Sequence, residues 1–198
     1  MTMLKNKTYW LFDMDGTLTI AMHDFDAMRA ELKLPVGMPI LEALAAMDPA
    51  DASVKYRELD EMELRMAAEA TPQDGSVELL EHLSSAGAQL GIVTRNGREI
   101  ADVTLKACGL DRFFDEQSII SRDCCTAKPD PAGVNLLLSR WNGEASNAVM
   151  VGDFVFDLQA GHSAGTATVH MDVSGEFAWP EITDVSVHSL RELLDHIV

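Results

Sequence analysis

Two aspartates with one residue between them, Asp13 and Asp15, close an apolar run at Tyr9–Phe12 in the string TYWLFDMDGTLT. Like charges that close repel each other, so the pair calls for a positive partner. Three further strings carry groups that could serve one site: IVTRN with Thr94, Arg95 and Asn96, AKPDP with Lys128, and VGDFVFD with Asp153 and Asp157. Two or three carboxylates suit a hard cation bound through oxygens, and Mg²⁺ keeps several waters in such sites. Asn96 and Glu99 form an Asn-x-x-Glu arrangement close to a capping box, which would set the Thr94 hydroxyl beside a helix N-terminus. Amide hydrogens there favour phosphate. Lys128 precedes Pro129, which biases its backbone to an extended form, and its ammonium is a compact charge suited to phosphate or to offsetting a carboxylate. Arg95 either reaches a substrate or is solvated.

Each group alone has a plainer reading. An Asp pair after a strand is a turn and cap signal, a lone threonine caps a loop, and a lone lysine is solvated. Asp153 and Asp157 could be turn and cap residues of a helix starting near Leu158. Their placement argues otherwise. Strand-like stretches at Thr8–Phe12, Gln89–Val93, Ser118–Ser121, Ala148–Val151 and Thr166–His170, with an edge strand near Val185–Val187, alternate with helical ones. The helices read as Ser76–Ser85 (Val77, Leu80, Leu83), a segment with Ile100, Val103 and Ala107 on its face, and one opened by Asp130 and Pro131 with Val134, Leu137, Leu138 and Trp141. This alternation predicts an α/β fold with a Rossmann-like parallel sheet. The carboxyl ends of parallel strands share one edge, where ligands bind, so these residues should converge. Gly16 lets the chain turn closely past them.

Between Asp24 and Ala70 helical signals run without a strand, chiefly Met38–Met47 and Ala50–Ala70. They read as a small α-helical cap inserted into the core, its methionines filling irregular gaps rather than binding a ligand. Candidate ion pairs there are Asp51–Lys55 and Glu61–Arg65. The same stretch holds eleven acidic against five basic residues, which should disfavour substrates with several negative charges beyond the reacting group.

FDMDGTLT, IVTRN, AKPDP and VGDFVFD resemble, in order and spacing, the four motifs of the haloacid dehalogenase-like hydrolase superfamily. The resemblance spans essentially the whole chain. It is similar to the helical-cap branch that includes phosphoglycolate phosphatase-like enzymes. The resemblance implies a core of residues 1–20 and 76–198 and a cap of 21–75. It implies that Asp13 is the nucleophile forming an aspartyl-phosphate, and that Asp15 moves protons and lends its carbonyl to Mg²⁺. Thr94 and Lys128 would bind the transferred phosphoryl group, with Arg95 and Asn96 beside it, while Asp153 and Asp157 complete the metal site with Asp13. Members that break carbon–halogen or carbon–phosphorus bonds lack the second acid, so Asp15 favours phosphoester hydrolysis or a phosphomutase, and the leading reading is a Mg²⁺-dependent phosphatase acting on a small phosphomonoester. The alternatives are a phosphomutase of the β-phosphoglucomutase type and a catalytically silent binding protein on the same fold. Phe154 departs from the pattern, standing where a small or polar residue is common.

Composition sets the remaining expectations. A net charge of −17 opposes nucleic acid and anionic membrane surfaces as partners, leaving a small phosphorylated metabolite. No apolar run approaches a membrane span of roughly 20 residues, and MTMLKNK lacks a signal-peptide core. Cys108, Cys124 and Cys125 show no metal-binding spacing and fit reduced thiols of a cytoplasmic protein, monomeric or homodimeric. Cys124 and Cys125, just before Lys128, read as ordinary thiols, and His162 as a helix residue.

Overall fold

The computed structural model describes residues 3–20 and 24–198; the expected start of the cap at residues 21–23 lies outside them. Six strands form one parallel sheet: β1 (Tyr9–Phe12), β2 (Gln89–Val93), β3 (Ile119–Ile120), β4 (Ala148–Gly152), β5 (Ala167–Met171) and β6 (Val185–Val187), in the order β3-β2-β1-β4-β5-β6. Phe12 stands level with Ile92 on one side and Val151 on the other, so the chain leaves β1, β2 and β4 at one height. That register places residues 13, 94 and 153 side by side.

Both faces of the sheet are covered, which is why the central strands are almost continuously apolar. Trp10 and Phe12 point to one face, where they pack with Leu79, Leu80 and Leu83 of α4 (Ser76–Ser85), Ala101 and Leu105 of α5 (Arg98–Ala107), and Leu190 and Leu193 of α8 (Leu190–Ile197). Leu11 and Met150 point to the other face, with Val134, Leu137 and Leu138 of α6 (Ala132–Arg140) and Ala160 of α7 (Val155–Ala164). The strand period of two thus sorts each residue to a layer.

α5 differs from its expected face. It buries Ile100, Ala101, Thr104 and Leu105, while Ala107 is exposed. The helix lies between the sheet and an inserted helix, so its buried stripe is broader than the one facing the sheet and turned from it.

Three helices fill the stretch between β1 and α4: α1 (Phe25–Glu31), α2 (Ile40–Ala45) and α3 (Pro49–Ala67). Asp24 caps α1 by accepting from Ala27 N–H at 2.9 Å, and Asp48 opens α3 ahead of Pro49, accepting from Ala50 N–H at 3.0 Å. Met28, Leu32, Ile40, Leu44, Leu59 and Met62 form a core of their own, so the methionines fill it as the pattern suggests. Lys55 pairs with Glu58 at 2.7 Å instead of the expected Asp51, an exposed i,i+3 contact of small energetic weight. Among the described residues no helix is long and apolar enough to cross a membrane.

Candidate active site

The carboxyl edge of the sheet carries the residues singled out by sequence. Asp13 follows β1, and its N–H donates to Val151 O on β4 at 2.9 Å; Thr94 follows β2 and donates to Ile120 O on β3 at 2.9 Å. Neighbouring strands therefore fix the backbone of both. Carboxylate oxygens of Asp13, Asp153 and Asp157 lie within 4.8 Å of one another. Lys128 Nζ joins them, 2.5 Å from Asp13 Oδ1 and 2.6 Å from Asp157 Oδ1. The turn after β1 exists for this packing. Gly16 has φ +86°, and a Cβ there would lie 2.3 Å from Asp153 Oδ2, so no side chain fits.

Three carboxylates surround one ammonium that touches two of them, so all three ionised would leave an excess of two negative charges. The titration of the groups reflects this. Burial, then the charges of Asp13 and Asp157, pushes the Asp153 carboxyl up; burial and Asp13 do the same to Asp157 despite its bond to Lys128. Burial alone would push Lys128 down, but its two carboxylate partners outweigh it and hold the ammonium charged. The contact itself favours the charged form of both Lys128 and Asp157, and Asp157 rises only because burial and Asp13 outweigh it. One ammonium serves two acids, so the lysine gains while the acids remain under-compensated.

Asp15 has different surroundings. Its Oδ2 accepts from the Asn96 side-chain amide at 2.6 Å. Burial, then the charges of Asp13 and Glu63, raises its carboxyl to about 7, against the opposing pull of Asn96 and Lys128. Glu63 comes from α3, is itself buried, and is raised to about 7 by burial, partly offset by Arg122. Its Oε2 lies 3.1 Å from Arg122 but off the line of the guanidinium N–H, an ion pair without a directed hydrogen bond. Arg122 also pairs with Asp60 of α3, while Arg95 holds Glu42 of α2 at 2.7 Å and donates to Lys128 O at 2.5 Å. Two arginines at the sheet edge therefore bind the inserted helices over the carboxylates.

These contacts enclose a cavity of about 370 Å³. Asp13, Asp15, Thr94, Lys128, Asp153 and Asp157 line its floor, and Phe25, Pro39, Leu41, Phe154 and Phe156 its apolar side. A wider cleft of about 730 Å³ adjoins it past Leu41, Arg95 and Arg122, but it lacks the carboxylates and reads as an approach rather than a reaction site.

Several expectations change on contact with the geometry. The Asn96–Glu99 box does not form: Gly97 precedes the helix, Asn96 turns to Asp15, and the Arg98 N–H at the start of α5 is taken by the Asp123 carboxylate at 2.9 Å. That helix end is thus occupied, and the Thr94 hydroxyl accepts from Asn96 N–H at 3.1 Å. Arg95 is neither solvated nor unattached. α7 starts at Val155 instead of near Leu158, so Asp157 sits in its first turn and accepts from Phe154 N–H at 3.0 Å. Cys124 is exposed and Cys125 half-buried with its thiol pushed up by burial, which makes Cys125 a poor nucleophile. His162 is an exposed residue of α7.

Sequence reasoning missed Thr17, whose hydroxyl donates to Asp153 Oδ1 at 3.0 Å, and Glu63, Arg122 and His170. His170 near the end of β5 has its Nε2 3.3 Å from Asp153 O. Arg122 and His170 follow the same strand-end rule that nominated Thr94, so the signal was present for them. Glu63 carries none, because it is one of several acids on a long helix.

Fold and site together define a hydrolase of the α/β class. The chain belongs to the haloacid dehalogenase-like hydrolase family, whose model matches residues 10–171. It is 36% identical over 186 residues to pyrophosphatase PpaX of Bacillus velezensis, covering 83% of this chain and 82% of that protein. An uncharacterised hydrolase of Saccharomyces cerevisiae is 30% identical, with 98% of this chain and 92% of that one covered. Among solved structures, a hydrolase from Pseudomonas syringae superposes with TM-score 0.80 at 23% identity, over 96% of this chain and 97% of that one. A predicted phosphoglycolate phosphatase from Haemophilus somnus does so with TM-score 0.77 at 20% identity, over 98% and 99%. At these identities the superpositions speak for the fold.

Proposed function

We propose that the protein is a Mg²⁺-dependent phosphatase that hydrolyses a small phosphomonoester through an aspartyl-phosphate. Residues 1–20 and 76–198 form its core and residues 21–75 its cap. The observation that carries the reading is the contrast between Asp13, held by Lys128 at 2.5 Å, and Asp15, held by Asn96 at 2.6 Å. An acid paired with a lysine suits a nucleophile, and one raised to about 7 by burial suits a proton carrier. In the first step a bond forms from an Asp13 oxygen to phosphorus as the ester P–O bond breaks. Its electron pair stays on the leaving oxygen, which takes the Asp15 proton. In the second, water gives a proton to Asp15 and attacks phosphorus, releasing phosphate and restoring Asp13.

The donor set fits a divalent cation: all ligands are oxygens, and the three acids, when ionised, exceed the one ammonium by two charges. Asp13, Asp153, Asp157 and the Asp15 carbonyl would hold Mg²⁺, which when bound offsets charge on the phosphoryl oxygens. Thr94 and Lys128 would bind the phosphoryl group. Arg95 and Asn96 hold Glu42 and Asp15, which makes them supports of the pocket as much as substrate contacts.

The relatives named pyrophosphatase, 32–36% identical, supply a second substrate reading, inorganic pyrophosphate. Release of phosphate from phenyl phosphate in Mg²⁺, abolished by chelator, tests the activity and separates it from a silent binding protein. A coupled assay for an isomerised sugar phosphate separates it from a phosphomutase. No release from any monoester or from pyrophosphate would overturn the reading.

A further inference from the structure

We propose that the cavity selects a phosphomonoester whose alcohol is uncharged and carries an aromatic ring, with the half-exposed Phe154 as the aromatic contact surface and Phe25 as a second aromatic wall. The proposal rests on the phosphatase reading for the reacting end and adds the nature of the leaving group.

Two observations carry it. The first is charge. Four basic side chains line the cavity, and each already holds a carboxylate: Arg29 holds Asp26 at 2.6 Å, Arg95 holds Glu42 at 2.7 Å, Arg122 holds Glu63 at 3.1 Å, and Lys128 holds Asp13 and Asp157. A second anionic group on the substrate would meet a carboxylate beside each of these cations, so it would gain little net attraction from the walls. Three of those carboxylates, Asp26, Glu42 and Glu63, come from the inserted helices, so the acidic excess of that segment is put to use in neutralising the walls.

The second is the aromatic wall. Phe154 follows Asp153 directly and is 48% exposed, and Phe25 of α1 is 53% exposed; both line the cavity. The exposed apolar ring of Phe154 beside a polar floor invites an apolar occupant. Phe154 is held in orientation: Phe156 meets it at 5.1 Å and 87°, and Trp179 at 5.5 Å and 79°. The Arg95 guanidinium lies 4.8 Å over Phe156 and braces the same wall. A ring held by two neighbours loses little further entropy when an occupant packs against it.

The test measures binding separately from turnover. Asp13→Asn protein, which lacks the nucleophile, is titrated calorimetrically with phenyl phosphate, glycerol 3-phosphate and pyrophosphate in Mg²⁺. Stacking of this kind is worth about a tenfold preference, so phenyl phosphate should bind about ten times more tightly than either of the others. Adding Phe154→Ser should erase the preference and adding Phe154→Tyr should keep it. Equal or weaker binding of phenyl phosphate, tight binding of pyrophosphate, or a preference that survives Phe154→Ser would each overturn the proposal. Should Phe154→Ser fail to fold, as judged by circular dichroism, the three-ligand comparison decides alone. Wild-type turnover of the same compounds is scored separately: its absence sinks the phosphatase reading and leaves the binding result to judge this one.

Discussion

The Asn96 side-chain amide donates to Asp15 Oδ2 across 2.6 Å, and this contact distinguishes two acids that stand one residue apart at the end of β1. Asp13 faces an ammonium, whereas Asp15 faces a neutral amide and, beyond it, the buried Glu63. The two should therefore fail differently. Asp13→Asn should form no phosphoenzyme. Asp15→Asn should slow turnover by about 10²- to 10⁴-fold, the usual worth of a positioned proton carrier. With an aryl phosphate, whose leaving group needs little protonation, aspartyl-phosphate should accumulate in Asp15→Asn. Rapid quenching and intact-mass measurement decide; phosphate on the Asp13→Asn chain would reverse the assignment.

Metal should reveal itself in stability as well as activity. Without a cation, Asp153 sits among buried carboxylates that disfavour its charge. Asp153→Asn should then melt at a higher temperature than wild type in chelator, by a few degrees. Mg²⁺ should raise the wild-type melting temperature more than the variant's. Activity should require Mg²⁺, and Ca²⁺ should support it poorly, because its larger, looser shell misplaces Asp13. Melting curves in Mg²⁺ and in chelator check the first part, and phosphate release with each metal the second.

Glu63 should impose a pH dependence on folding. Its carboxyl is raised from 4.5 to about 7 in the folded chain. Between those values the folded state holds more protons than the unfolded one, so this residue's contribution falls as pH rises. Relative to Glu63→Gln, wild type should lose on the order of 2–3 kcal/mol on going from pH 5 to pH 8, at 1.36 kcal/mol per pKa unit. Urea unfolding at the two pH values measures the difference. A wild type that gains on the variant over that range would contradict the burial argument.

Gly16 should tolerate no side chain. A Cβ there overlaps the Asp153 carboxylate at 2.3 Å, and φ is +86°. Gly16→Ala should cost about 1–3 kcal/mol in stability through backbone strain, and activity by about 100-fold or more through displacement of Asp153. Steady-state kinetics with thermal melts tests both parts, and a fully active variant would show that the turn can move away from the carboxylate.

How far the sequence reaches depends on how local each cause is. The apolar runs of β1, β2 and β4 have a short period, and parallel strands bring their carboxyl ends to one edge. Asp13, Thr94 and Asp153 were therefore legible as neighbours before any coordinates. Gly16 and the acidic excess of residues 24–70 were legible for the same reason, since turn chemistry and composition are properties of the chain itself. The tertiary structure decided what the chain could not. It turned Asn96 from its own helix to Asp15, gave the start of α5 to Asp123, and set Glu63 against Arg122, 59 positions further along. Such pairings depend on the angle at which α3 meets the sheet edge, an outcome of packing between surfaces with no sequence period in common. The sequence by itself determined the candidate reacting groups and the edge they share. The partner each group holds, and hence its charge and the shape of the cavity above it, came from the packing of the inserted helices.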